Sequence, residues 1–230
     1  GMHRWVWDLR YPAPVSTSHE YPISAVPGNT ARGPFGPLAL PGQFSVRLTV
    51  NSTSYTAPFT VKMDPRVKTP QSGLAQMFQA QTRLADIFSR STTALLQARS
   101  AREQLEKLSG KPGAGLNEAV TALKKQIVIL LDGHEGSEAG TSSQAALSRV
   151  NANAGALYAE LDRADAAPTA AQVKALGEID RDFSVLLKQW DEIRTTSIPA
   201  LNLRLNDARL PEIVIEANPR AEEEPHGDEE

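Results

Sequence analysis

The residues of this chain that could do chemistry are few and scattered. Its four histidines, His3, His19, His134 and His226, have no ligand-like spacing. A zinc site needs imidazoles grouped with one another or with carboxylates. Glycoside hydrolysis needs two carboxylates flanking one cleft. Asp8 is the one acid with a motif around it, at the end of an alternating run that closes Trp7-Asp8. An Asp in that place caps a turn through its own backbone. Glu178, Asp180 and Asp182 lie on a helical stretch with Arg181 and Lys188, the pattern of a solvated, ion-paired face. No serine sits in a nucleophile elbow. There is no cysteine, which removes disulfides, thiolate metal sites and thiol nucleophiles. The sequence therefore predicts no catalytic, cofactor-binding or metal-ligating residue. It does offer four aromatic side chains, Trp5, Trp7, Phe44 and Phe59, on alternating strand positions. They suit a buried core or an interaction surface, with a carbohydrate platform as the other use of such rings.

These rings must be held by elements of two different kinds. Residues 1–68 contain nine of the 16 prolines and no long helical stripe. In GMHRWVWDLRYP, His3, Trp5 and Trp7 alternate with Arg4, Val6 and Asp8, so a strand is expected from residue 3. A Pro/Gly/Ser-rich connection covers 9–42, with a short strand expected near Tyr21–Ala25. Phe44, Val46, Leu48 and Val50 then share one face, as do Tyr55, Ala57, Phe59, Val61 and Met63 after the turn at Asn51–Ser54. That spacing predicts a β-hairpin with one buried side. Pro58 cannot donate to a ladder, so its strand is expected at an edge or bulge.

From Thr69-Pro70 onward the period changes to that of helices. Thr69 suits an N-cap and Pro70 a first helical position. Leu74, Phe78, Leu84, Phe88, Leu95, Leu105 and Leu108 trace a first helix ending near Gly110. Leu116, Val120, Leu123, Ile127 and Leu130 mark a second, stopped near Gly133. Leu147, Val150, Ala154, Leu157 and Leu161 mark a third, and Leu176, Ile179, Phe183, Leu187 and Trp190 a fourth. Thr141 with Gln144, and Thr169 with Gln172, have the spacing of capping boxes. Pro199 is expected to break or kink the fourth helix before a last stretch through Leu201 and Leu205. Four amphipathic segments with short breaks predict an antiparallel four-helix bundle.

The domains expected are thus a β module over 1–68, a bundle over 69–209, and an extended segment with an acidic tail over 210–230. The last twelve residues carry a net charge of −5 and the rest a net of +2. A body so nearly neutral has no electrostatic footprint for nucleic acid. No apolar run approaches a membrane span.

Gly1, Trp5, Trp7-Asp8 and the run Pro41-Gly42-Gln43-Phe44-Ser45-Val46-Arg47-Leu48-Thr49-Val50 resemble the immunoglobulin-like module of flagellar hook-capping proteins, found at the ends of many exported bacterial proteins. The stretches HRWVWDLRYP, GPLALPG and VKMDPRVKTP, with a helical region after them, are similar to the C-terminal part of large exported proteins with sortilin-like (BNR-repeat) β-propellers, often labelled glycosyl hydrolases. The resemblance covers residues 1–70 well and the helical part weakly. It departs at the hairpin turn, where the family has glycine and this chain has Asn51-Ser52-Thr53.

The resemblance implies a partial immunoglobulin-like β-sandwich ahead of the bundle, with the chain beginning inside a domain. It also implies a periplasmic or extracellular setting and an upstream propeller as partner. Such a sandwich would have a free edge on the Trp5 strand, through which two copies could pair, while the bundle packs over Trp5 and Trp7. The function expected is a non-catalytic accessory or protein-interaction module. A share in carbohydrate binding or glycoside hydrolysis is the alternative the family label suggests.

Overall fold

The computed structural model describes residues 2–21, 32–108, 110, 114–133 and 145–219. Two strands, β1 (Gly42–Val50) and β2 (Thr53–Val61), precede five helices. These are α1 (Gln71–Leu108), α2 (Ala114–Asp132), α3 (Leu147–Leu161), α4 (Ala170–Glu192) and α5 (Ile198–Asp207), with one π-helical turn, Ile193–Ser197, joining the last two.

The helices form a bundle around the 38-residue α1, which packs on α2, α3 and α4. Its apolar stripe supplies one wall of the core through Leu84, Ile87, Leu95, Ala98 and Leu105. Val120, Leu123 and Ile127 of α2, Leu147, Val150 and Ala154 of α3, and Ile179, Phe183 and Trp190 of α4 close it. The burial follows the 3.6-residue stripes legible in the sequence. Between α1 and α3 the core also holds a polar clamp. The Asn151 amide donates to Ser91 Oγ at 2.9 Å and Thr92 Oγ1 at 2.8 Å, so all three buried polar groups are satisfied.

The helix ends have local causes. Gly110 and Gly133 take φ of 85° and 81° just past α1 and α2, the left-handed C-terminal stop that glycine makes without a Cβ penalty. Thr169 and Gln172 form a complete capping box at the start of α4. The Thr141–Gln144 pair lies outside the described residues. Pro199 does not break the chain's helical course. The turn before it widens, and the Ile198 N–H bonds the Ile193 carbonyl five residues back. A π turn of this kind relieves the clash a proline ring makes with the turn behind it. After α5 the chain returns along the bundle. Ile213 is buried, held by paired bonds between its backbone and the Asn202 side chain at 2.8 and 2.9 Å.

The N-terminal third corrects the sequence reading. It is not a partial immunoglobulin-like β-sandwich. The single sheet among the described residues is the two-stranded antiparallel β1–β2. Residues 3–8 form no strand. Asp8 Oδ1 accepts the Arg10 N–H at 2.9 Å, Trp7 Nε1 donates to the Arg10 carbonyl at 2.9 Å, and Leu9 turns the chain with φ 64°. A six-residue alternation closed by such a turn has no neighbour to pair with. Arg10 and Leu38 make only an isolated bridge. There is therefore no Trp5 strand edge for a second copy to use. Of the strand expected near Tyr21–Ala25, Tyr21 lies in no strand and the remainder lies outside the described residues. The segment instead wraps the bundle: Val15 N–H bonds Ser89 Oγ at 3.0 Å, and the Tyr11 and Phe78 rings meet at 5.4 Å.

Candidate functional site

The hairpin is the part of the molecule whose chemistry is left open. Asn51 and Ser52 both have positive φ, 46° and 67°, the geometry of the two-residue turn that matches strand twist. The register then pairs Phe44 with Phe59, Val46 with Ala57, Leu48 with Tyr55 and Val50 with Thr53. Every apolar side chain of both strands except Pro58 falls on one face. The other face is polar, with Thr49 and Ser54 hydroxyls 2.9 Å apart and Thr60 donating to Gln43 at 3.1 Å.

The expected burial of the apolar face does not occur. Leu48 is 60% exposed and Tyr55, directly opposite, 62%. Val46, Val50 and Phe59 are exposed as well. Alternation reports which side of a sheet is apolar; it carries no information on what lies against it. Among the described residues neither strand makes more than a marginal contact with a helix, so the hairpin stands off the bundle as an arm. Its two edges differ. Hydrogen-bonded pairs alternate outward from Val50–Thr53, so Ser45–Pro58 is a non-bonded pair. The missing N–H of Pro58 thus lies on the outer edge of β2, which blunts that edge. The outer edge of β1, through Gln43, Ser45, Arg47 and Thr49, keeps all its donors and acceptors.

Three of the four predicted aromatic residues come together at the base of the arm. Trp7 lies 5.5 Å from Phe44 and 6.0 Å from Phe59, and the two phenylalanines stack at 5.8 Å. Ring pairs of this geometry anchor a strand end. Trp5 is not among them; it is 77% exposed, and no helix covers it.

A concavity of about 460 Å3 lies where the wrapping segment crosses α1 and α3, lined in part by Ser16, Glu20, Phe35, Phe88, Tyr158 and Asp162. Two carboxylates thus share a cleft. Asp162, however, is engaged on both oxygens by the Arg10 guanidinium at 3.0 and 3.2 Å, and the Gln81 amide reaches it at 3.4 Å. Arg10 also donates to the Gly36 carbonyl at 2.7 Å. The pair is a clasp holding the N-terminal segment on the bundle. Tyr158 completes it by donating to the Phe35 carbonyl at 2.6 Å. Burial, and then the neighbouring Asp162 carboxylate, push the Tyr158 hydroxyl well above the ordinary phenol value, against a smaller opposing effect of Arg10. Because the folded-state pKa is raised, this stability is fully present below the unfolded value of about 10 and is lost as pH rises above it. The wild-type midpoint temperature is expected to fall more between pH 9 and pH 11 than that of Tyr158→Phe. Equal falls in both would contradict this assignment.

Sequence reasoning missed Arg10, Asp162 and Tyr158, because a contact across 152 residues leaves no periodic trace. The histidines stay apart: His3 and His19 are exposed, and His134 and His226 lie outside the described residues. Among the described residues no group of three or more His, Asp or Glu could hold a metal ion, and no helix is long and apolar enough to cross a membrane. Asp180 takes an ion pair from Arg83 of α1, tying α4 to it. No family model, no curated protein and no solved structure matches this chain.

Proposed function

We propose that this chain is a non-catalytic accessory module that docks on another polypeptide through its β-hairpin arm. One observation carries the reading: the facing pair Leu48 and Tyr55, each about 60% exposed on a continuous apolar strip. Apolar strips of this kind on a projecting element are interaction surfaces. The open β1 edge adds a row of unpaired backbone groups that a partner strand can complete. The resemblance of residues 1–70 to the C-terminal parts of exported propeller proteins favours an exported setting, with the propeller as a partner. The glycosidase alternative would use Glu20 and Asp162. The Arg10 clasp on Asp162 disfavours it, since a carboxylate locked in two charge-assisted bonds is not free to attack or to move a proton.

The experiment is a pair of substitutions with a photo-crosslinker. Leu48→Asp with Tyr55→Asp is expected to leave helical content unchanged and stability within about 0.5 kcal/mol, as for surface sites away from packing. A crosslinking side chain at position 48 is expected to join this chain to another polypeptide, and to stop doing so when Tyr55 is Asp. Crosslinks confined to this chain's own helices would contradict the proposal.

A further inference from the structure

We propose that the polypeptide seated on the arm is a second copy of this chain, its hairpin stacked face to face on the first. The inference rests on the docking reading above and names the occupant. It comes from the arm's area, its charge and its edges.

The five exposed apolar side chains, Val46, Leu48, Val50, Tyr55 and Phe59, are 36–62% accessible. At the usual size of such side chains they leave on the order of 500 Å2 open. Two copies stacked on this face bury about twice that, which meets the roughly 1,000 Å2 a specific interface requires. The face carries no charged group at any of its paired positions, Phe44–Phe59, Val46–Ala57, Leu48–Tyr55 and Val50–Thr53. Stacking therefore strands no ion in a dry interface. The opposite face offers the reverse. It bears Arg47 with no acidic residue on either strand, so two such faces repel. A two-fold stack of apolar on apolar is thus the self-pairing the hairpin permits, and a self-complementary patch is what a two-fold dimer needs. Stacked sheets lie about 10 Å apart, a gap that Leu48 and Tyr55 from the two sides can fill.

Edge pairing through β1 is the competing self-association. It would leave both apolar faces in water, and the substitutions below separate the two. The weak end of the interface range implies a dissociation constant on the order of 10–100 µM.

Sedimentation equilibrium of the full chain tests the proposal. Wild type is expected to shift from monomer to dimer across that range. Leu48→Asp should weaken the dimer at least about tenfold. Ser45→Pro removes a donor from the outer edge of β1, as Pro58 does on β2, and should leave the dimer intact. Circular dichroism checks that each variant keeps its helices. A dimer that survives Leu48→Asp, or one lost in Ser45→Pro, would overturn face-to-face stacking. A chain that stays monomeric at several hundred µM would overturn the second copy as occupant. If the crosslinker at position 48 still captures other polypeptides in that case, the docking reading stands without it. If the crosslinker finds only this chain's own helices, both fall together.

Discussion

Gly36→Ala is expected to release the N-terminal segment from the bundle. A Cβ at residue 36 would lie 1.7 Å from the Tyr11 carbonyl oxygen and 2.7 Å from that of Pro12. These are backbone atoms, held by the Tyr11 N–H bond to the Pro37 carbonyl at 2.9 Å and by the Ala39 N–H bond to the Leu9 carbonyl at 2.7 Å. No flexible side chain can yield, so the two stretches of the wrap, around Tyr11 and around Gly36, must separate. Overpacking costs about 1–3 kcal/mol where side chains can adjust, and a backbone clash sits at or beyond the top of that range. The same carbonyl that Gly36 offers to Arg10 would move, and with it the clasp on Asp162. The measurement is limited proteolysis alongside circular dichroism. Cleavage between residues 10 and 40 should accelerate while the helical signal persists. An unchanged digestion pattern and melting curve would show that the segment is not packed as described.

Trp190→Ala should be the most destabilising change in the core. The ring is 1% exposed, and its Nε1 donates to Gln97 Oε1 at 3.1 Å. Gln97 in turn donates to the Glu216 carbonyl at 2.7 Å, so the tryptophan links α4, α1 and the returning C-terminal segment. Removing it opens a large cavity, about 3–5 kcal/mol, and leaves the buried Gln97 oxygen unpaired, about 1–3 kcal/mol more. In a chain of this size each kcal/mol is worth about 2–4 °C, so a drop of more than about 10 °C is expected. Trp190→Phe loses the same hydrogen bond but keeps most of the ring volume, so it should lose less, and the difference between the two variants isolates the packing contribution. A drop of under about 2 °C for Trp190→Ala would mean that the ring is not core.

The helices were the legible part of this sequence, because burial in a bundle repeats every three to four residues and leaves its period in the text. Leu84, Leu95, Leu105, Val120, Leu147 and Phe183 are all buried where their stripes place them. Thr169 and Gln172 were legible for a local reason, a cap closed within four residues. Pro199 was legible as a disturbance at the end of the fourth helix, but the form it takes, a π turn over Ile193–Ser197, was not. The hairpin's register could be read from alternation, but its exposure could not. Trp5 and Trp7 show the same limit. Their spacing suggested one strand and one face, yet a turn at Asp8–Arg10 sends Trp7 onto Phe44 and Phe59 and leaves Trp5 in water. The clasp of Arg10 on Asp162 depends on the tertiary fold alone.

The claim on which the functional account turns is that the arm's apolar face is open in the isolated chain. The chain has no cysteine, so Tyr55→Cys provides a single reporter at the centre of that face. Its rate of modification by a maleimide at sub-micromolar protein is the direct measurement. The rate is expected to lie within about threefold of that of the same cysteine in the denatured chain, since Tyr55 is 62% exposed. A rate slower by a hundredfold or more would mean that the bundle covers the hairpin, and that the arm is part of this chain's own core rather than a surface offered to another.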